Sequence, residues 1–165
     1  MNVNFKLSKE AVSSASADSK RAVMEMLAAR FADAYGLHSP TVLEGLEERE
    51  RLGSTGFGRR VAIPHARLDG IERPVAALLK LDSPVDFAAA DGMPVDLVIG
   101  LLSPISAGAD HLHALAAISR MVRDEGTYDA LVRAADSEAL FATLTNLADN
   151  TLSAEDFSGA KRERA

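Results

Sequence analysis

The sequence predicts a single-domain α/β sandwich, a β-sheet covered by helices on both faces. Two long apolar runs, residues 75–81 (VAALLKL) and 95–102 (VDLVIGLL), do not alternate cleanly between apolar and polar, the habit of strands covered on each side. Segments with helical periodicity stand before and after them in the chain. With 165 residues and 47% apolar content, one buried core suffices, and neither repeats nor an interdomain linker divides the chain.

Residues 1–17 are mixed and yield no assignment. Asp18 or Ser19 is suited to cap a helix whose inward stripe is Val23, Met26, Leu27, Phe31 and Ala34, with Arg30 intruding and Gly36 ending it. Ser39 and Pro40 open a second helix as N-cap and first helical residue. In it Val42, Leu43 and Leu46 face inward, Arg49 lies in the last turn and Gly53 closes it. Its acidic run, 44–50, reads as a solvated face. Residues 53–67 (GSTGFGRRVAIPHAR) read as a Gly/Ser/Thr loop entering a short strand, 61–63, which Pro64 stops, presenting His65 from a rigid step. Between the two long strands, SPVDFAAADGMP is turn chemistry at both ends. Residues 103–110 read as a polar loop before a long helix to about 124. A short helix from Gly126-Thr127 to 135 follows, then a last one capped by Ser137 and ending near 148. The charged tail from Asp149, with KRER near its end, is expected to be disordered.

Composition removes several classes of function. There are no cysteines, hence no disulfides, thiolate metal sites or cysteine nucleophiles. A formal net charge of −6 disfavours a general nucleic-acid binder and suits a basic protein partner. MNVNFKLSKEAVSSASADSK holds no apolar core of signal-peptide length, and no stretch approaches a membrane span. A cytoplasmic location without membrane insertion is expected. Gly56-Phe57-Gly58 lacks the third glycine of a dinucleotide fingerprint, and GSTG lacks the lysine of a phosphate-binding loop.

The histidines sort by geometry. At about 100° per residue, His111 shares a helix face with Leu115, Ile118 and Val122, whereas His113 falls on the opposite side near Arg120. His65 and His111 both follow apolar strands, so they are expected to meet in the crevice beyond the strand ends. In the first helical turn, His111 feels the positive end of the macrodipole, which disfavours its protonation and favours an adjacent anion. His38 and His113 read as surface residues. His65, His111 and Asp110 are of the right types for zinc, but His111 and His113 face apart and no supporting second-shell pattern is visible. Neither a metal nor a cofactor is expected.

GSTGFGRRVAIPHARL, DGMPVDLVIGLLSP and DHLHAL opening a helix together resemble the enzyme IIA domains of the bacterial phosphotransferase system, in the fructose/mannitol class and most closely its nitrogen-type branch. The resemblance spans residues 19–147, with motifs in the family's order and spacing. It implies a mixed central sheet with helices on both faces. It also implies that His65, in the I-P-H motif, accepts a phosphoryl group from an HPr-type carrier. His111 matches the family's second active-site histidine, and Arg49, in R-E-R-L-G, its arginine. One departure is Ala66, where glycine commonly follows the histidine.

The expected division is an enzyme IIA-like domain over 1–148 and a disordered tail over 149–165. The expected function is that of a phosphocarrier, regulating nitrogen or potassium metabolism through phosphorylation-dependent contacts with an unknown target. The chain carries neither a IIB domain nor a transporter, which favours this over a sugar-specific enzyme IIA passing phosphoryl to a IIB domain. A non-phosphorylated interaction module is the remaining alternative; it has no chemical need for His65, His111 and Arg49 together. The glycines of 53–58 are expected to give backbone clearance to a docking protein.

Overall fold

The computed structural model describes residues 4–146; the expected helix end near 148 and the expected disordered tail from 149 lie outside the described residues. A mixed six-stranded sheet forms the middle layer. Its strands are β1 (Lys6–Ala15), β2 (Gly56–Gly58), β3 (Val61–Ala62), β4 (His65–Leu68), β5 (Val75–Val85) and β6 (Val95–Pro104). The order is β1-β5-β6-β3-β2, with β4 also paired to β6. Strands β5 and β6 are antiparallel, while β1 runs parallel to β5 and β3 and β4 run parallel to β6.

Helices α1 (Lys20–Tyr35) and α2 (Ser39–Arg51) cover one face; α3 (Ala109–Arg123), α4 (Glu125–Arg133) and a last helix, α5, from 137 cover the other. The period-two alternation that the apolar runs conceal separates the two cores. Val75, Ala77, Leu79, Val98 and Leu102 pack with Leu27, Phe31 and Leu46. Ala76, Leu78, Leu97, Ile99 and Leu101 pack with Ile118, Val122 and Leu131. This is the predicted sandwich. No helix among the described residues is long and apolar enough to cross a membrane.

The α1 boundaries agree with the expectation: Ser19 accepts a bond from Ala22 N, and Gly36 adopts φ 67°. Met24 and Ala28, rather than Met26 and Ala34, complete its fully buried stripe. Helix α2 begins one residue early, with His38 at the N-cap position. The α5 cap is Asp136, which accepts from Ala139 N, instead of Ser137.

The structure corrects or extends the sequence expectations at four places. Residues 6–15 form edge strand β1, hidden in the sequence because a register irregularity between Leu7 and Val12 breaks its alternation. Gly56–Gly58 is a strand in a hairpin with β3, not loop. The turn residues Arg59 and Arg60 have φ of 56° and 72°, as a type I′ turn demands, but they lack the Asn-Gly signature that would announce it. Strand β3 ends at Ala62, ahead of Pro64, as expected, but the chain rejoins β6 directly beyond the proline. Val61 pairs with Leu97, Ala62 with Val98 and, beyond the proline, His65 with Leu101, so the register resumes unshifted. The Pro64 carbonyl still accepts from Leu101 N at 3.0 Å, which keeps the joint attached to β6. Finally, β6 runs through Ser103 to Pro104, followed by a single 3-10 turn, Ile105–Ala107, where a longer loop was expected.

Candidate functional site

Gly45 brings α2 against β4. A Cβ there would stand 2.7 Å from Leu68 Cδ2 and 3.5 Å from the Ala66 methyl, so a larger residue would have to push the Leu68 side-chain tip aside for the helix to settle this close. Mid-helix glycine costs about 1 kcal/mol relative to alanine; here it brings the last turn of α2 beside the first residue of β4. Arg49, in that turn, donates from Nε to His65 Nε2 at 3.2 Å and from a terminal nitrogen to the Gly53 carbonyl at 2.9 Å. Ala66 has no left-handed backbone. It pairs with Leu102, and its methyl is buried against α2, so the departure from glycine costs the local geometry nothing.

His65 Nδ1 lies 2.8 Å from the Ile63 carbonyl. A carbonyl only accepts, so Nδ1 carries the proton and Nε2 holds the free electron pair. Arg49 donating to Nε2 agrees with that tautomer. Burial holds His65 below the usual histidine pKa, against the opposing pull of the Ile63 carbonyl, and the Arg49 charge adds to the lowering.

His111, in the first turn of α3, is 5% exposed, and its Nδ1 lies 2.7 Å from Ser103 Oγ. Its ring centroid is 5.7 Å from that of His65, with the planes at 44°. Burial, then the charges of Arg67 and His65, push its pKa down to about 4. Both imidazoles are therefore neutral near pH 7. Arg49, His65, Arg67 and His111 line one cavity of about 520 Å³. At its lining, Leu52 and Leu112 are 84% and 59% exposed.

The three residues singled out from the sequence thus converge. Asp110 joins no metal-holding cluster, and none occurs among the described residues. His38 and His113 are exposed. Sequence reasoning missed Arg67, although its spacing of two from His65 on a strand was a usable signal. It also missed Ser103, which reaches His111 across a turn and has no local signature.

The acidic run of α2 is not uniformly solvated. The Glu50 side chain, 8% exposed, pairs with Lys20 and accepts from Thr55 N and Oγ1. It ties α1, the end of α2 and the chain entering β2 around Arg49. Removing one partner of a buried pair costs about 3–5 kcal/mol; because Lys20 is 29% exposed, solvent recovers part of this. Glu50→Ala is expected to lose about 2 kcal/mol, read as a lower urea midpoint. An unchanged midpoint would contradict the role.

The glycines of 53–58 are not all docking clearance. A Cβ on Gly56 would lie 2.8 Å from the Ala89 methyl, and one on Gly58, at φ 100°, would lie 3.1 Å from the Asp91 carboxylate. They admit the 86–92 loop of the same chain, which Asp91 fastens by accepting from Arg59 N and Met93 N.

The buried histidine gives a pH signature. An unfolded chain protonates His111 near its ordinary pKa of about 6.5, whereas the fold resists protonation down to about 4. Between those values the unfolded state binds more protons, so this term makes stability fall as pH falls. Urea midpoints are expected to be lower at pH 5 than at pH 7, with the difference reduced in His111→Gln. Equal midpoints for the wild type would refute it.

A sheet sandwiched by helices, with two neutral histidines and two arginines in one cavity, is the frame for the comparison with known proteins, which shows that the chain belongs to the EIIA family of the phosphotransferase system. The family described as "Phosphoenolpyruvate-dependent sugar phosphotransferase system, EIIA 2" matches residues 6–147. Among curated relatives, the nitrogen regulatory protein of Bradyrhizobium diazoefficiens is 43% identical over 127 residues, covering 77% of this chain and 83% of the relative. That of Pseudomonas aeruginosa is 43% identical over 130 residues, covering 78% and 84%. The crystal structure of nitrogen regulatory protein IIA-Ntr from Neisseria meningitidis superposes with a TM-score of 0.77 at 32% identity, covering 84% of this chain and 95% of that one.

Proposed function

We propose that this protein is a cytoplasmic phosphocarrier whose His65 Nε2 accepts a phosphoryl group from an HPr-type carrier, and that the modification regulates nitrogen or potassium metabolism through protein contacts. The observation that carries the reading is the free electron pair of Nε2, set by the Ile63 carbonyl and placed between Arg49 and His111.

In the transfer, Nε2 attacks phosphorus in line as the nitrogen–phosphorus bond of the donor phosphohistidine breaks, and the donor imidazole leaves with the electron pair. Arg49 exchanges its bond to Nε2 for one to a phosphoryl oxygen, and His111 donates a ring N–H to another. The product carries about −1.5 to −2 of new charge in a cavity lined by exposed Leu52 and Leu112. An apolar contact surface whose two arginines face a phosphoryl group selects partners differently from one whose arginines are left unmatched.

The 43% identity to proteins called nitrogen regulatory protein supports regulation over sugar uptake; the mannitol enzyme IIA of Escherichia coli, at 19% identity, shares the fold. Incubation with phosphoenolpyruvate, enzyme I and an HPr-type carrier, followed by intact mass, is expected to show one acid-labile phosphoryl group. No labelling would sink the proposal.

A further inference from the structure

We propose that Ser103 is a positioning residue: its hydroxyl donates to His111 Nδ1 and thereby fixes His111 as an Nε2–H donor at the cavity. Ser103 is fully buried on β6, in register with Arg67 on β4. A hydroxyl at 0% exposure adds nothing to packing that a methyl would not supply, so its one hydrogen bond among the described residues, Oγ to His111 Nδ1 at 2.7 Å, is what sets it apart from an alanine.

Two proton arrangements fit that distance. If Nδ1 donated to Oγ, the serine proton would need another acceptor, and among the described residues Ser103 Oγ has no other hydrogen bond. A buried donor left without a partner costs about 1–3 kcal/mol. The opposite arrangement satisfies both groups: the serine proton goes to Nδ1, and the one proton of a neutral imidazole resides on Nε2. The two histidines therefore hold opposite tautomers. His65 carries its proton on Nδ1 and offers the Nε2 electron pair to the cavity. His111 offers only an N–H, so it can hold a phosphoryl oxygen but cannot take the phosphoryl group. In this way Ser103 makes the site directional, with one acceptor and one donor.

The tautomer can be read in the unphosphorylated protein; only its kinetic consequence rests on the phosphocarrier reading. Long-range proton–nitrogen NMR of ¹⁵N-histidine-labelled protein is expected to show His111 with a protonated Nε2 and an unprotonated Nδ1. Ser103→Ala is expected to populate both tautomers and slow phosphoryl transfer about tenfold, the usual scale for losing an orienting partner; Ser103→Thr, which keeps the hydroxyl, is expected to restore the wild-type pattern. A wild-type His111 protonated on Nδ1 would overturn the proposal. So would a folded Ser103→Ala protein with unchanged tautomer and transfer rate. Failure of the wild type to be labelled would strike the phosphocarrier reading instead, leaving the NMR result to decide the tautomer.

Discussion

His65→Ala is expected to abolish phosphoryl acceptance while leaving the fold in place. The imidazole is the proposed nucleophile, and no neighbour offers a replacement. His111 is buried, and its Nδ1 is occupied by Ser103; Arg49 and Arg67 carry no free electron pair at neutral pH. The structural cost is small. His65 is half-buried, and its ring makes two hydrogen bonds, one to the Ile63 carbonyl and one from Arg49. Losing the first leaves the Ile63 carbonyl facing the space that the ring vacates, about 1 kcal/mol where water fills that space. The β4–β6 pairing is made by backbone groups and survives the substitution. Intact mass after incubation with the phosphorylated carrier should show no added phosphoryl group, with a urea midpoint near the wild-type value. Labelling of this variant to the wild-type extent would move the acceptor elsewhere and remove the assignment.

Legibility of the chain follows how local each determinant is. Helix α1 can be read because Ser19 and Gly36 bracket it and its buried stripe is internal to the segment. Strands β5 and β6 can be read because both faces are covered, so nearly every side chain is apolar. Edge strand β1 cannot: one pairing partner, small residues and an irregular register leave no period to detect. The Arg59–Arg60 turn is equally silent, since what holds two arginines at positive φ is Asp91 accepting from Arg59 N and Asp96 accepting from the Arg60 guanidinium, both distant in sequence. The site divides the same way. His65, Arg49 and His111 announce themselves through a proline step, a helix terminus and a helical face. Ser103, Glu50 and Gly45 act through contacts made only once α1, α2, the chain entering β2, β4, β6 and α3 have assembled, and no spacing rule reaches them.

Arg49→Ala sets two effects against each other, and their sizes decide the outcome. In the resting site Arg49 Nε donates to the electron pair that must attack phosphorus, so removing the arginine frees the nucleophile. A net hydrogen bond of this kind is worth about 1 kcal/mol, roughly a fivefold gain in rate. In the proposed transfer the same residue, bonded to His65 Nε2 in the resting site, is the donor placed to hold a phosphoryl oxygen, and losing one preorganised donor from a transition state typically costs about 100- to 1,000-fold. The second effect wins, so transfer is expected to slow roughly 20- to 200-fold. Stability should change by less than about 1 kcal/mol, because among the described residues the Arg49 bonds go to the half-buried His65 ring and the Gly53 carbonyl, beside the favourable charge at the helix terminus. Arg49→Lys separates charge from geometry: an ammonium keeps the positive charge but loses the planar fork, placing its rate between wild type and alanine. Rapid-quench measurement of phosphoryl arrival checks both variants. An alanine variant as fast as wild type would reduce Arg49 to a cap on α2. A faster one would make it a brake on the nucleophile, released only when the carrier docks and draws the guanidinium away from Nε2.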